Sequence, residues 1–298
     1  SVDEDQKLIV SYYNGRVYKK SEEEFELFKQ SRTRVLSHTQ YYQTINSQIY
    51  VNTKSTDNLL FESRLKNRIF TFLPGILKLS DESYKQPILC THFGFSIVKS
   101  NFQLTEYLSN GRVNDACMTK DRLFLAMLSG LYHFDTISKS QHKINSKLLS
   151  FQIDDVDCFR DNSVIAASRG GGVVIVNNEK IWSITEEDGL TNNMVTEVYV
   201  QNDSVVWACT NQGLNRIAFV KGNAYKISQI TQIDGLIDND VIDVEIIDQT
   251  VWVATRSGLC SFQLNYFDKK SMRPDYHLRI LSKKINDKIK SNLTDLHY

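Results

Sequence analysis

Two stretches of this sequence are copies of one another. Residues 188–217 read DGLTNNMVTEVYVQNDSVVWACTNQGLNRI, and residues 234–262 read DGLIDNDVIDVEIIDQTVWVATRSGLCSF. Each opens on Asp-Gly-Leu (Asp188-Gly189, Asp234-Gly235) and reaches a Val (Val195, Val241) that starts an alternating run. A turn follows, then a Val-Trp string ending in Thr around Trp207 or Trp252, then a Gly-Leu pair at Gly213 or Gly258. A unit of this size cannot bury its own apolar face, so copies must stack on one another to make a core. That excludes most single-core folds at once.

Weaker copies fill the rest of the chain. Residues 106–134 keep Leu108, Asn110 and Val113 at matching places, put Phe124 where the Trp stands, and close at Gly130-Leu131. Residues 163–176 close at Gly172-Val173, 88–98 at Gly94-Phe95 and 8–19 at Gly15-Arg16, while 49–61 fill the gap near Asn58. The closing positions recur every ~40 residues, within the range of four-stranded propeller units. Seven such units span the 298 residues.

Inside a unit the period is two. Val195, Glu197 and Tyr199, then Val205, Trp207 and Cys209, alternate with their neighbours, and Asn-Asp-Ser at 202–204 and Asn-Gln-Gly at 211–213 break the runs. Each unit therefore supplies an inner strand, the Trp strand, the Gly-Leu strand and an outer strand such as residues 180–185. The predicted fold is all-β: a seven-bladed β-propeller of four-stranded antiparallel blades over residues 1–268. The closing glycines are expected at turn positions with positive φ. One segment reads differently: EEEFELFKQSR at 22–32 is predicted as a short amphipathic helix.

Composition narrows the partners. Thirty-five Lys+Arg balance 35 Asp+Glu, so neither nucleic acid nor an anionic membrane is the expected partner. No apolar run approaches the ~18 residues of a spanning helix. Cys90, Cys117, Cys158, Cys209 and Cys260 show no Cys-x-x-Cys spacing; Cys90 and Cys209 fall where other units carry Ala126 or Ala254, which marks small core positions. The six His are scattered without His-x-x-x-His spacing, so no metal, cofactor or catalytic residue is assigned. RGGG at 169–172 has two readings, an anion cradle or a blade turn, and the repeat favours the turn. Acidic groups (Glu186, Glu187 and Asp188; Asp154, Asp155 and Asp157; Asp238 and Asp240) invite a glycosidase reading, but fall mostly at inter-strand or inter-blade turns. Trp207 and Trp252 read as core, and Trp182 as an outer-strand residue.

Among propeller repeats, no Trp-Asp closure, Asp box or regular Gly-Gly pair occurs. The order Asp-Gly-Leu, Asn, Val, Trp, Thr and Gly-Leu resembles the two-component regulator propeller repeat, well at 188–217 and 234–262 and moderately at 88–98 and 106–134. Residues 272–298 look like the opening of a triple-tyrosine Ig-like module, with Pro274 ahead of a strand holding Leu278 and Ile280, then a polar hairpin. The domain division is thus 1–268 and 269–298, with the chain stopping inside its second domain. The resemblance implies the periplasmic sensor region of a Bacteroidetes-type sensor histidine kinase or hybrid receptor. It would be joined to the membrane through a further C-terminal part, non-catalytic, and acting on an oligosaccharide or other small ligand through a change of pose or of homodimer arrangement. Two rival readings stand: a propeller lyase or glycosidase acting on polysaccharide, and a protein-binding scaffold. The irregular stretches 20–48, 62–87 and 135–150 are where ligand contacts are expected.

Overall fold

Short period-two runs punctuated by Gly, Asn and Asp fold here into antiparallel meanders whose strands pair in sequence order. The computed structural model describes residues 88–91, 94–98, 104–119, 122–160, 163–177, 180–220, 224–247 and 249–267. It also describes the backbone of strands before residue 88 and of two after residue 267. Three three-stranded sheets come first: β1 (Ile9–Ser11), β2 (Arg16–Lys20) and β3 (Phe25–Gln30); β4 (Tyr41–Ile45), β5 (Gln48–Thr53) and β6 (Thr56–Glu62); β7 (Ile88–Thr91), β8 (Gly94–Val98) and β9 (Leu104–Leu108). Three four-stranded sheets follow: β10 (Val113–Met118), β11 (Leu123–Met127), β12 (Gly130–Asp135) and β13 (Ser140–Lys143); β14 (Ile153–Phe159), β15 (Ser163–Ser168), β16 (Gly172–Val176) and β17 (Ile181–Ile184); β18 (Val195–Asn202), β19 (Val205–Thr210), β20 (Gly213–Phe219) and β21 (Tyr225–Ile230). A three-stranded sheet of β22 (Val241–Ile247), β23 (Thr250–Thr255) and β24 (Gly258–Gln263) precedes a hairpin of β25 (Lys283–Ile285) and β26 (Lys288–Lys290). Not every sheet has the four strands expected of a blade. In each three-stranded sheet the position of the fourth falls outside the described residues.

The chain divides into two compact units, Ser1–Leu128 with Tyr132–Lys143, and Ser129–Leu131 with Ile144–Tyr298. In the second unit the sheets stack face to face, and β19 shows why its sequence is apolar throughout. Val206 and Ala208 enter a core shared with Phe159, Ile165 and Ile175 of the preceding sheet. Val205, Trp207 and Cys209 enter another, shared with Val244, Val251 and Val253 of the following sheet. A sheet covered on both faces has no solvent side, so polar alternation disappears from its central strand. In the first unit, Phe95 and Ile97 of β8 meet Val113, Leu125 and Phe134 in the same manner, and Phe95 stacks edge-on to Phe134 at 4.8 Å.

One expected element is corrected. The segment expected as a helix at 22–32 contains β3, which pairs with β2 in a register that sets Tyr18 against Leu27 and Lys20 against Phe25. An isolated helix of under ~12 residues is marginal in water, whereas Phe25–Gln30 gain backbone partners by pairing with β2. The strand expected around Leu278 and Ile280 lies outside the described residues; the polar hairpin expected after it is β25–β26. Among the described residues no helix is long and apolar enough to cross a membrane.

Candidate ligand-binding face

The closing glycines each open a strand: Gly130, Gly172, Gly213 and Gly258 the third of their sheets, Gly94 the second of a three-stranded one. Gly94, Gly130, Gly172, Gly213 and Gly258 all have positive φ. At Gly172 (φ 74°) a Cβ would stand 2.1 Å from the Ile184 carbonyl oxygen of β17, so the outer strand approaches too closely for any side chain. The Asp-Gly-Leu motif forms the link between sheets. Asp188 accepts from the backbone N–H of Thr185 at 2.9 Å and from its hydroxyl at 3.0 Å. Asp234 does the same for Thr231 at 2.9 and 3.0 Å. Each closes a one-turn 3-10 helix capped by a left-handed glycine, Gly189 or Gly235. The Thr three places before each Asp is a repeat feature that the sequence displays and that reading from Asp-Gly-Leu onward misses. Trp207 is wholly buried and donates its indole N–H to the Gln201 side chain at 3.0 Å; Trp252 is buried in the next sheet. Trp182, on outer strand β17, is partly buried against the core of its own sheet.

The loops around the start of β14 carry an exposed aromatic residue, Phe151, beside charged side chains. The 169–171 turn sits on Phe151: a Cβ on Gly170 would meet the Phe151 ring at 3.0 Å, and one on Gly171 would meet Ser168 Oγ at 2.7 Å and the Leu148 carbonyl at 3.0 Å. All three glycine N–H groups are already bonded. Gly170 donates to Ser168 and Asn193 carbonyls at 3.0 and 2.9 Å, Gly172 to Asn193 at 3.1 Å, and Gly171 to Ser168 Oγ at 3.2 Å. RGGG is therefore a turn, with no N–H left to cradle an anion.

That packing props up Phe151, which remains 45% exposed. Beside it, Arg169 bonds to the Asp154 carboxylate, which also accepts from Gln152 Nε2. The Arg169 backbone donates to Gln152 at 2.9 Å and bridges Met194, itself exposed. The loop carrying Met194 is fixed by Asn193 and Glu186, each accepting the other's backbone N–H, at 2.8 and 2.7 Å. The result is a half-exposed aromatic ring flanked by a guanidinium–carboxylate pair and a flexible thioether on a braced scaffold. Chemically, such a surface offers a ring face for apolar contact and planar polar groups for hydrogen bonding.

The other acidic residues hold structure. Asp155 and Asp157, both buried, accept the backbone N–H groups of Val198 at 2.9 Å and Val200 at 3.1 Å. Asp240 pairs with Arg256. Asp238 accepts from Ser257, whose hydroxyl, with the backbone N–H of Asp240, holds its carboxyl below the usual range. All five Cys are buried, none in a disulfide. Among the described residues no three His, Cys, Asp or Glu gather as metal ligands. The stretches 20–48 and 62–87, where contacts were expected, lie largely outside the described residues. The third, 135–150, ends one residue before Phe151. Nothing in the sequence distinguishes Phe151 or Met194 from core residues, because their exposure comes from turns supplied elsewhere in the chain.

No family model matches the sequence, and no curated protein is significantly similar to it. Solved structures share its fold. The extracellular domain of the putative hybrid two-component system BT3049 from B. thetaiotaomicron is 15% identical over 91% of this chain, with a TM-score of 0.53. PorZ, a surface component of the type-IX secretion system of Porphyromonas gingivalis, is 16% identical over 88%, with a TM-score of 0.59. The chain spans 42% of the first and 36% of the second. Virginiamycin B lyase from Staphylococcus aureus is 11% identical over 85% of this chain and 89% of its own, with a TM-score of 0.59. A WD40 β-propeller domain, that of Doa1, also aligns, 12% identical over 83% of this chain and 84% of that one, with a TM-score of 0.51. The all-β, sheet-after-sheet architecture is thus of the propeller kind.

Proposed function

We propose that residues 1–268 form a seven-bladed β-propeller, that 269–298 begin an Ig-like module, and that the whole is the periplasmic ligand-sensing part of a two-component receptor. The observation that carries this reading is the coincidence of two independent likenesses: the Asp-Gly-Leu repeat of the sequence and the shared fold with an extracellular two-component domain over 91% of the chain. The ligand docks on the face of Phe151, Arg169, Asp154 and Met194. Its class is an oligosaccharide, whose rings stack on an aromatic face while vicinal hydroxyls bridge planar Arg, Asp and Gln groups. The receptor binds without transforming its ligand and passes the change onward through its Ig-like module, its membrane attachment and a homodimer.

A second reading, a propeller lyase, is favoured by the fold shared with virginiamycin B lyase. Against it, the Asp155 and Asp157 carboxylates already accept backbone bonds and Asp154 is held by Arg169. Thermal-shift screening of the 298-residue chain against an oligosaccharide panel, with chromatography of every mixture for products, separates the two. Stabilisation without products, lost in Phe151→Ala and Arg169→Ala, supports the sensor. Product formation supports the lyase.

A further inference from the structure

We propose that the β12–β13 hairpin carries a divalent transition-metal site whose protein ligands are His133 and His142. The two histidines are direct partners in the antiparallel register, and Asp135 is the partner of Ser140 two places on. Residues two apart share a strand face, so all four side chains stand on one face of the hairpin. Opposed Cβ atoms in such a pair lie ~4.5–5.5 Å apart. Two imidazoles can then converge on one ion at the ~2.0–2.1 Å that zinc–nitrogen bonds require.

A hydrogen-bond chain prepares one of them. Ser138 Oγ donates to Asp135 Oδ2 at 2.8 Å. Its single proton is thereby used, so the 2.7 Å contact between Ser138 and Ser140 has Ser140 as donor. Ser140's proton is used in turn, and the 2.9 Å contact to His142 has Nε2–H as donor. The chain therefore fixes His142 as the Nε2–H tautomer and leaves the Nδ1 lone pair for a metal. A carboxylate at the far end of such a relay fixes the tautomer and orientation of the imidazole, as outer-shell carboxylates do in metal sites. The Asp135 carboxylate is held in place by the backbone N–H groups of Ile137 and Ser138 at 2.8 and 3.2 Å.

His133 is half-buried on β12. Its ring is set edge-on to Phe124 of β11 at 6.2 Å. Asp135 is occupied by its loop, and no third ligand converges among the described residues, so water completes the shell. Two imidazoles and water suit Cu²⁺, Zn²⁺ and Ni²⁺ rather than Mg²⁺ or Ca²⁺.

The test is calorimetric titration of the full 298-residue chain with CuCl₂, ZnCl₂ or NiCl₂ in a non-chelating buffer at pH 7.5, with melting curves verifying that each variant folds. One equivalent of Cu²⁺ is expected to bind more tightly than Ni²⁺, with nitrogen hyperfine structure from two imidazoles in the copper EPR spectrum. His133→Asn and His142→Asn each weaken it at least ten-fold, and the double variant abolishes it. Asp135→Asn, which leaves both ligands, weakens it about 10-fold through the relay. Binding by the double variant equal to that of the wild-type chain, or no saturable binding at millimolar metal, overturns the proposal.

Discussion

Asp155 of β14 accepts the backbone N–H of Val198 of β18 at 2.9 Å, so a buried side chain of one sheet bonds the main chain of the next. Asp157 repeats the contact at Val200. Carboxylates placed at period two on one strand thus lace it to its neighbour where no backbone ladder can run between separate sheets.

Asp155→Ala is expected to destabilise the fold by about 1–3 kcal/mol, since it strands a buried N–H donor. Asp155→Asn, which keeps an acceptor oxygen, costs less. Urea midpoints of the two variants check the order; equal midpoints for Ala, Asn and wild type would refute the lacing role.

Gly172→Ala places a methyl group on the Ile184 carbonyl at 2.1 Å and at φ 74°. The outer strand must move away, and a loss of at least about 2 kcal/mol is expected, a large share of a typical domain's stability. A melting temperature within a degree of wild type would show that β17 is not held there.

Removing the Asp188 carboxylate opens the Thr185 turn and is expected to cost about 1 kcal/mol, the usual worth of a cap. The same variant reports on Tyr225, whose phenol burial pushes up in pKa, with Asp188 adding to the rise. In Asp188→Asn the phenolate absorbance of Tyr225 is expected to appear at lower pH than in wild type.

The repeat made the strand order and the core tryptophans readable, because Trp207 and Trp252 occupy matched places and stacking of alike units leaves few alternatives. The helix expected at 22–32 failed for the converse reason: Phe25, Leu27 and Phe28 satisfy either period, and only β2, a neighbour in space, chooses between them. The acidic residues were visible as a group, but not their duties, since the partners of Asp155 and Asp157 lie on a different sheet. Phe151 was illegible as a candidate site residue because its exposure depends on a glycine turn packed against one side of the ring.

Cys260 is buried, and that burial pushes its thiol from 9.0 to about 11, against a small opposing effect of the Ile237 backbone. Its folded pKa lies above the unfolded one, so its contribution is fully present below pH 9 and lost as pH rises through 11. The loss amounts to about 2–3 kcal/mol at roughly 1.4 kcal/mol per pKa unit. In Cys260→Ala the decline of stability between these pH values is expected to be shallower than in wild type. Parallel declines would place the thiol in solvent.

The most direct test of the sensing account is the thermal shift of the 298-residue chain with oligosaccharides, read beside product chromatography. A ligand at a hundred times its Kd adds about 2.7 kcal/mol to the folded state. The account predicts a rise in melting temperature for at least one oligosaccharide, absent in Phe151→Ala and Arg169→Ala, with the sugar recovered unchanged. Cleavage of the sugar, or a rise undiminished in both variants, would contradict it.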